Sequence, residues 1–302
     1  MTLGAQPAAS VAELVAMRRP KPIWVRMGRF ARHKPLGFAG VVVIFLMFFM
    51  AISAPVISRF DPNEVRSADR FSGPNGSYFF GTDKFGRDVY SRVVYGSRIS
   101  LEVGFVAVGI ALFGGTVVGI ICGYFGGWVD MLTQRVMDTL MAIPVLVFAM
   151  VMVSALGPSI VNVMIALGII GIPQASRVVR GAVLSVMENP YIESARSVGA
   201  GGLRIGLFHI LPNVTAPIII IGTAGLGSVI LAEASLSFLG LGTPPPAPSW
   251  GGMLSGQAQS YGVQYPWLVL APGIALTLAV LGFNLFGDAL RDVWDPRLRG
   301  TQ

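Results

Sequence analysis

Charge is scarce in this chain. Of its 302 residues only 12% are charged and 53% are hydrophobic, against roughly 25% charged in soluble domains. That balance excludes an ordinary water-soluble fold and places the chain in a bilayer. Cysteine is nearly absent too. Cys122 is the single one, which rules out an internal disulfide or a cysteine-based metal cluster and leaves packing as its role. The two histidines, His33 and His209, have no neighbouring ligand cluster, so a zinc site is not expected. Neither lies in an apolar run, which excludes an intramembrane serine protease needing its base beside the nucleophile. The lysines are Lys21, Lys34 and Lys84. None follows a glycine and precedes Ser or Thr, so no phosphate-binding P-loop exists. The chain is expected to have no catalytic residues, no metal and no bound cofactor of its own.

What is present is a set of apolar runs long enough for a hydrocarbon core that takes about 20 helical residues. Six are expected to cross: Gly37 to Ile57, Leu101 to Tyr124, Val136 to Leu156, Ser159 to Ile172, Ala216 to Leu241 and Trp267 to Phe286. The fourth is short, and Ala175, Val178, Val179 and Ala182 extend it until Arg177 and Arg180 leave the membrane. The expected fold is therefore an all-α membrane protein with six transmembrane helices. Met1 to Arg19 lacks the long apolar core and small-residue cleavage pattern of a removed leader, so the first span is expected to be a retained anchor.

The basic residues set the expected orientation. Arg18, Arg19, Lys21, Arg26, Arg29, Arg32 and Lys34 precede the first span, and the positive-inside rule puts them in the cytoplasm. Six spans return the C-terminus, with Arg291, Arg297 and Arg299, to the same side. The loop with Arg196 and Arg204 also falls inside. The first outer loop, residues 58–100, carries seven basic residues among five acidic ones, and long loops follow the rule poorly. The resulting division is a basic tail at 1–36, a first helix at 37–57, an outer loop at 58–100, a membrane core at 101–288 with an inner loop at 183–213, and a tail at 289–302. The net charge of +7 lines membrane edges instead of forming a stripe with interleaved aromatics. Anionic lipid, not nucleic acid, is the expected counterpart.

Within the spans, Ala107, Ala111, Gly115, Gly119, Gly123 and Gly127 recur every four residues, a small-xxx-small ridge that lets another backbone approach. It suits a packing surface or a ligand-facing groove. Pro144 and Pro272 each remove a backbone donor inside a span and can kink it. Ionisable residues are costly there and usually functional. Glu102 and Asp138 fall near span ends. Glu233 lies well inside LAEASLSFLGLG, with Ser228, Ser235 and Ser237 nearby, and reads either as a translocation-pathway group together with Ser235 or as one end of an inter-helix bond.

One polar, glycine-broken stretch separates spans four and five: Glu193 to Asn213, ESARSVGAGGLRIGLFHILPN. Asn189 and Pro190 suit an N-cap and a first helical position, Glu193 suits the first turn's positive charge, and Gly199 suits a left-handed stop. A helix of two to three turns is expected. Gly201 and Gly202 then permit a change of direction before a segment, Leu203 to Leu211, that Pro212 ends.

This stretch resembles the cytoplasmic EAA loop of permease subunits in binding-protein-dependent ABC importers. Glu193, Ala195, Gly199, Leu211 and Pro212 match that pattern, Ser194 replaces its second alanine, and His209 stands where isoleucine is common. Further runs are similar to the C-type permeases of the dipeptide, oligopeptide and nickel importers: GTDKFGRDVYSRVVYGSRISL from Gly81, EASLSFLGLG from Glu233, PSWG from Pro248 and NLFGDALRDVWDPRLRG from Asn284. The resemblance covers nearly everything beyond residue 36. It implies a bacterial plasma-membrane permease of the type I importer fold. It also implies a homologous second permease, two cytoplasmic ATPases that hold the ATP and Mg, and an extracytoplasmic solute-binding protein. The coupling residues would be the five matched positions. Cargo stays open among di- and oligopeptides, nickel chelates, haem and glutathione-like solutes, with peptide as the default. An ATP-independent channel or secondary carrier, and a scaffold subunit, are the alternatives from other classes.

Two segments outside the membrane carry expectations of their own. GTDKFGRDVYSR is expected as an amphipathic surface helix, either capping the spans or docking a binding protein. The uncharged, proline-rich Gly242 to Pro266 loop is expected as a rigid interfacial lid, with Trp250 and Trp267 at headgroup depth.

Overall fold

A computed structural model describes residue 32 and residues 34–294. The expectations for most of the basic N-terminal tail, and for Arg297 and Arg299, lie outside the described residues.

Every long apolar run forms a helix, the form that satisfies backbone groups where water is absent. Helix α1, Pro35–Ile57, starts with proline at its first position. Helix α2, Val89–Phe125, runs 37 residues. Helices α3, Gly127–Met141, and α4, Val145–Leu156, follow. Next comes α5, Ile160–Met187. The polar stretch holds α6, Pro190–Ser197, and α7, Gly202–Ile205. A π-helical turn, Gly206–Ile210, leads into α8, Leu211–Phe238. Two short helices, α9 at Trp250–Leu254 and α10 at Gln257–Tyr261, precede α11, Trp267–Trp294. Among the described residues five helices are long and apolar enough to cross a membrane, or six if α3 and α4 count as one bent span.

That bent pair corrects the third span. Instead of one kinked helix from Val136 to Leu156, the chain turns by 88° between α3 and α4. Pro144 has no N–H for a hydrogen bond one turn back and forces its predecessor away from helical geometry, and it becomes the N-cap of α4 with ψ 133°. Helix α3 buries none of its residues and is tied to α5 by two ion pairs, Asp130 with Arg180 and Asp138 with Arg177.

The small-residue ridge faces α5. A Cβ on Gly115 would stand 2.4 Å from Ala175 Cβ, one on Gly119 2.8 Å from Val179 Cβ, and one on Gly123 2.6 Å from Val183 Cγ1. Cys122 is fully buried in the same helix. On the other side, α2 and α8 meet α11 and α1 around Leu226, Ile230, Phe283 and Met47.

Helix α2 begins twelve residues earlier than the expected span. At 1.5 Å per residue its length is about 55 Å, well beyond a hydrocarbon core near 30 Å, so its first turns project from the bundle. The expected amphipathic surface helix is therefore not separate: Val89 onward belongs to α2, and Gly81 to Asp88 is a closed turn. Asp83 ion-pairs with Arg87 at 2.7 Å, and Asp88 caps α2 by accepting from Ser91 N at 2.9 Å. Gly86 adopts φ +75°, and a Cβ there would collide with the Arg66 carbonyl.

The lid between α8 and α11 packs on that projection. Trp250 is fully buried, which corrects its headgroup placement. Its Nε1 donates to Val93 O at 2.9 Å, and its ring fills the space that Gly96 leaves. Trp267 Nε1 donates to Thr82 O at 3.1 Å. The Arg92 guanidinium reaches Pro62 O at 2.8 Å and Pro246 O at 3.3 Å, joining the first loop to the lid. The indole rings are drawn inward because each has a buried carbonyl to satisfy its donor.

Candidate functional site: an exposed elbow at one end of the bundle

The elbow sits at the end of the bundle opposite Trp250. Asn189 precedes α6 with extended φ and ψ, −80° and 136°, and Pro190 takes the first helical position. Asn189 does not cap by its side chain. Its Nδ2 donates backward to Ser185 O and Val186 O, closing the end of α5 instead. Gly199 stops α6 at φ +80°. Gly199 N donates to Arg196 O at 2.9 Å and Ala200 N to Ala195 O at 3.0 Å, which satisfies carbonyls that the helix end would leave open.

One side chain anchors this helix. Ile192 is 1% exposed and packs with Val179, Val183, Ile205, Ile210 and Val214, a burial that stabilises by about 2 kcal/mol. Tyr124, at the far end of α2, lies against Gly202 and carries the Arg196 guanidinium 5.5 Å above its ring.

The remaining face is open. Glu193 is exposed, and its carboxylate has no ion pair among the described residues. Val198, Leu203 and Phe208 are 85%, 79% and 71% exposed. Val198 joins Tyr191, Ala195, Gly199, Arg204 and His209 in lining a surface depression of about 440 Å³. Exposed apolar side chains beside the polar α6 suit an interaction surface.

Pro212 does not end the helix, contrary to the sequence expectation. It stands in the first turn of α8, and the chain from Gly202 to Phe238 is one continuous helical rod. The missing N–H and the proline ring are absorbed by the wider π turn at Gly206–Ile210 just before it. Leu211 is half-buried against the Ile192 cluster, while Pro212 is exposed. Of the five matched positions, Glu193, Ala195 and Gly199 share the elbow surface; Leu211 and Pro212 form the root of the rod behind it. The exposed Val198, Leu203 and Phe208 escaped sequence reading because apolar residues in a loop look like the start of the next span.

Glu233 lies in the membrane part of α8, 1% exposed. Ser237 Oγ donates to its Oε1 at 2.6 Å and in turn accepts from Thr243 N at 3.2 Å. Ser235 instead donates to Leu231 O at 2.8 Å. Neither Glu233 nor Ser235 lines the cavity bounded by α2, α4, α5 and α8. Among the described residues there is no cluster of three metal-ligating side chains.

Known proteins with this pattern agree in kind. Residues 115–300 match the family model for the binding-protein-dependent transport system inner membrane component, and residues 23–74 match the N-terminal transmembrane domain of oligopeptide transport permease C. A dipeptide transport system permease protein of Alkalihalophilus pseudofirmus is 43% identical over 276 residues, covering 91% of this chain and 90% of the relative. A probable D,D-dipeptide transport system permease protein of Escherichia coli K12 is 38% identical over 282 residues, 93% of each chain. A glutathione transport system permease protein of Escherichia coli is 40% identical over 296 residues, 98% of this chain and 97% of the relative. The chain belongs to the inner-membrane permease components of binding-protein-dependent transport systems, in the C-type dipeptide and oligopeptide branch of ABC importers.

Proposed function

We propose that this chain is the pathway subunit of an ATP-driven importer for di- or oligopeptides. The exposed elbow of α6 faces the cytoplasm and seats in a groove of a separate ATPase. A homologous permease completes the path, and an extracytoplasmic binding protein delivers cargo near the Trp250 lid. ATP and Mg stay with the ATPase subunits.

The observation that carries this reading is the elbow's construction. A helix of 8 residues is pinned from beneath by Ile192, while Glu193 and the apolar Val198 and Phe208 are left without partners of their own kind. Ala195 lets a groove wall approach closely, and Glu193 offers one charge to a basic groove residue. Because Gly202–Phe238 is one rod, a push on the elbow is delivered along α8 into the membrane as a rigid-body movement. The similarity to the glutathione permease along nearly the whole chain favours a second cargo reading, a glutathione-like peptide, on the same machinery.

The test is uptake of labelled dipeptide and of glutathione by vesicles carrying the assembled importer. Glu193→Lys is expected to abolish ATP-dependent uptake while the subunit stays in the membrane. Unchanged uptake by that variant refutes the coupling role. Labelling of Val198→Cys in intact cells by an impermeant thiol reagent refutes the cytoplasmic placement.

A further inference from the structure

A cavity of about 340 Å³ opens between α2, α4, α5 and α8, inside the range of about 300–1,000 Å³ usual for small-molecule sites. Val108, Leu112, Leu167 and Ile170 supply apolar wall, and no charged side chain lines it. Gln174 of α5 and Ser228 of α8 are its only lining side chains that can hydrogen-bond.

These two behave differently from other polar residues in the spans. The hydroxyls of Ser53, Thr215, Thr223, Ser235 and Thr277 each donate to the carbonyl one turn back, the usual way to hide a polar group in hydrocarbon. Gln174 and Ser228 have no hydrogen-bond partner among the described residues, and both are exposed to the cavity. A primary amide without partners is costly against lipid and stable only where water or a polar solute reaches it. An open cavity that leaves both groups accessible suits water or a polar solute.

Resting on the importer reading above, we propose that Gln174 and Ser228 contact the solute in transit. The Gln174 amide offers two donors and an acceptor, and the Ser228 hydroxyl offers one donor with acceptor capacity. That set matches the N–H and C=O groups of a peptide backbone. An uncharged wall attracts neither charge sign, so passage depends on the backbone shared by all peptides and not on side-chain charge.

The test uses the whole importer with Cys122→Ser, in membrane vesicles with a hydrophilic thiol reagent. Gln174→Cys and Ser228→Cys are expected to react at least about tenfold faster than Phe45→Cys on the exposed outer face of α1, since apolar surroundings suppress the thiolate by such factors. Dialanine is expected to slow the reaction at both positions. In uptake assays, Gln174→Leu is expected to lower maximal dialanine transport by roughly 2- to 10-fold, the value of one hydrogen bond. The loaded-binding-protein concentration for half-maximal uptake stays unchanged, and Gln174→Asn restores part of the rate. Both cysteines reacting as slowly as Phe45→Cys, or full-rate uptake by the Gln174→Leu, Ser228→Ala double variant, overturns this inference while the importer reading stands. No ATP-dependent uptake by the unmodified importer overturns the importer reading itself and this inference with it.

Discussion

Gly199 makes the elbow's dependence on backbone geometry measurable. Its φ of +80° lies where an L side chain costs about 1–2 kcal/mol, and a Cβ there meets nothing within 4 Å. Substitution is therefore a pure backbone perturbation with no steric collision to confuse it. Gly199→Ala is expected to cost about 1 kcal/mol and Gly199→Val about 2 kcal/mol, with Gly199→Asn cheapest because its side chain tolerates the left-handed region. The loss falls on the elbow's seated form, since Ile192 is the one buried side chain of α6 and Arg196 adds only its contact with the Tyr124 ring, so the folded bundle should melt at the wild-type temperature. A penalty of 1–2 kcal/mol lowers the seated population by roughly 5- to 30-fold. Titrating the purified ATPase against the permease in nanodiscs and reading its affinity gives the ranking directly. Equal affinities for the Asn and Val variants, or a drop in melting temperature matching the drop in affinity, would refute the argument.

Two further predictions concern the frame. Trp250→Ala removes a fully buried side chain and the bond to Val93 O, so a loss of about 3–5 kcal/mol is expected, read as a lower melting temperature in detergent and faster proteolysis of the 242–266 loop. Gly119→Leu drives a branched side chain into Val179 and the Ser176 carbonyl; about 1–3 kcal/mol of overpacking is expected, and Val179→Ala should recover part of it in the same melting assay.

The spans were legible because their run lengths carry the information: a bilayer leaves an apolar stretch one option. The elbow was legible because Asn189, Pro190, Glu193 and Gly199 each act within one turn of chain. What failed to show was long-range. Trp250 reads as an interfacial anchor until Val93 and Gly96 are seen beneath it, 157 positions away in the chain for the hydrogen bond. Pro212 reads as a stop because a local rule cannot foresee a π turn that widens to admit it. The junction at Pro144 was visible as a weak point, but its 88° angle was not, since α3 also makes ion pairs with Arg177 and Arg180 of α5 that no local rule foresees.

That junction has a mechanical consequence. Between Met141 and Val145 the ladder of helical hydrogen bonds is already interrupted, so swivelling α3 against α4 unmakes no secondary structure, whereas bending any of the long rods would. The exposed Asp138–Arg177 pair can exchange for water at little cost, and the half-buried, two-pronged Asp130–Arg180 pair stays as the point about which α3 turns. In a molecule otherwise made of stiff beams, this is the place where shape can change and the beams stay whole.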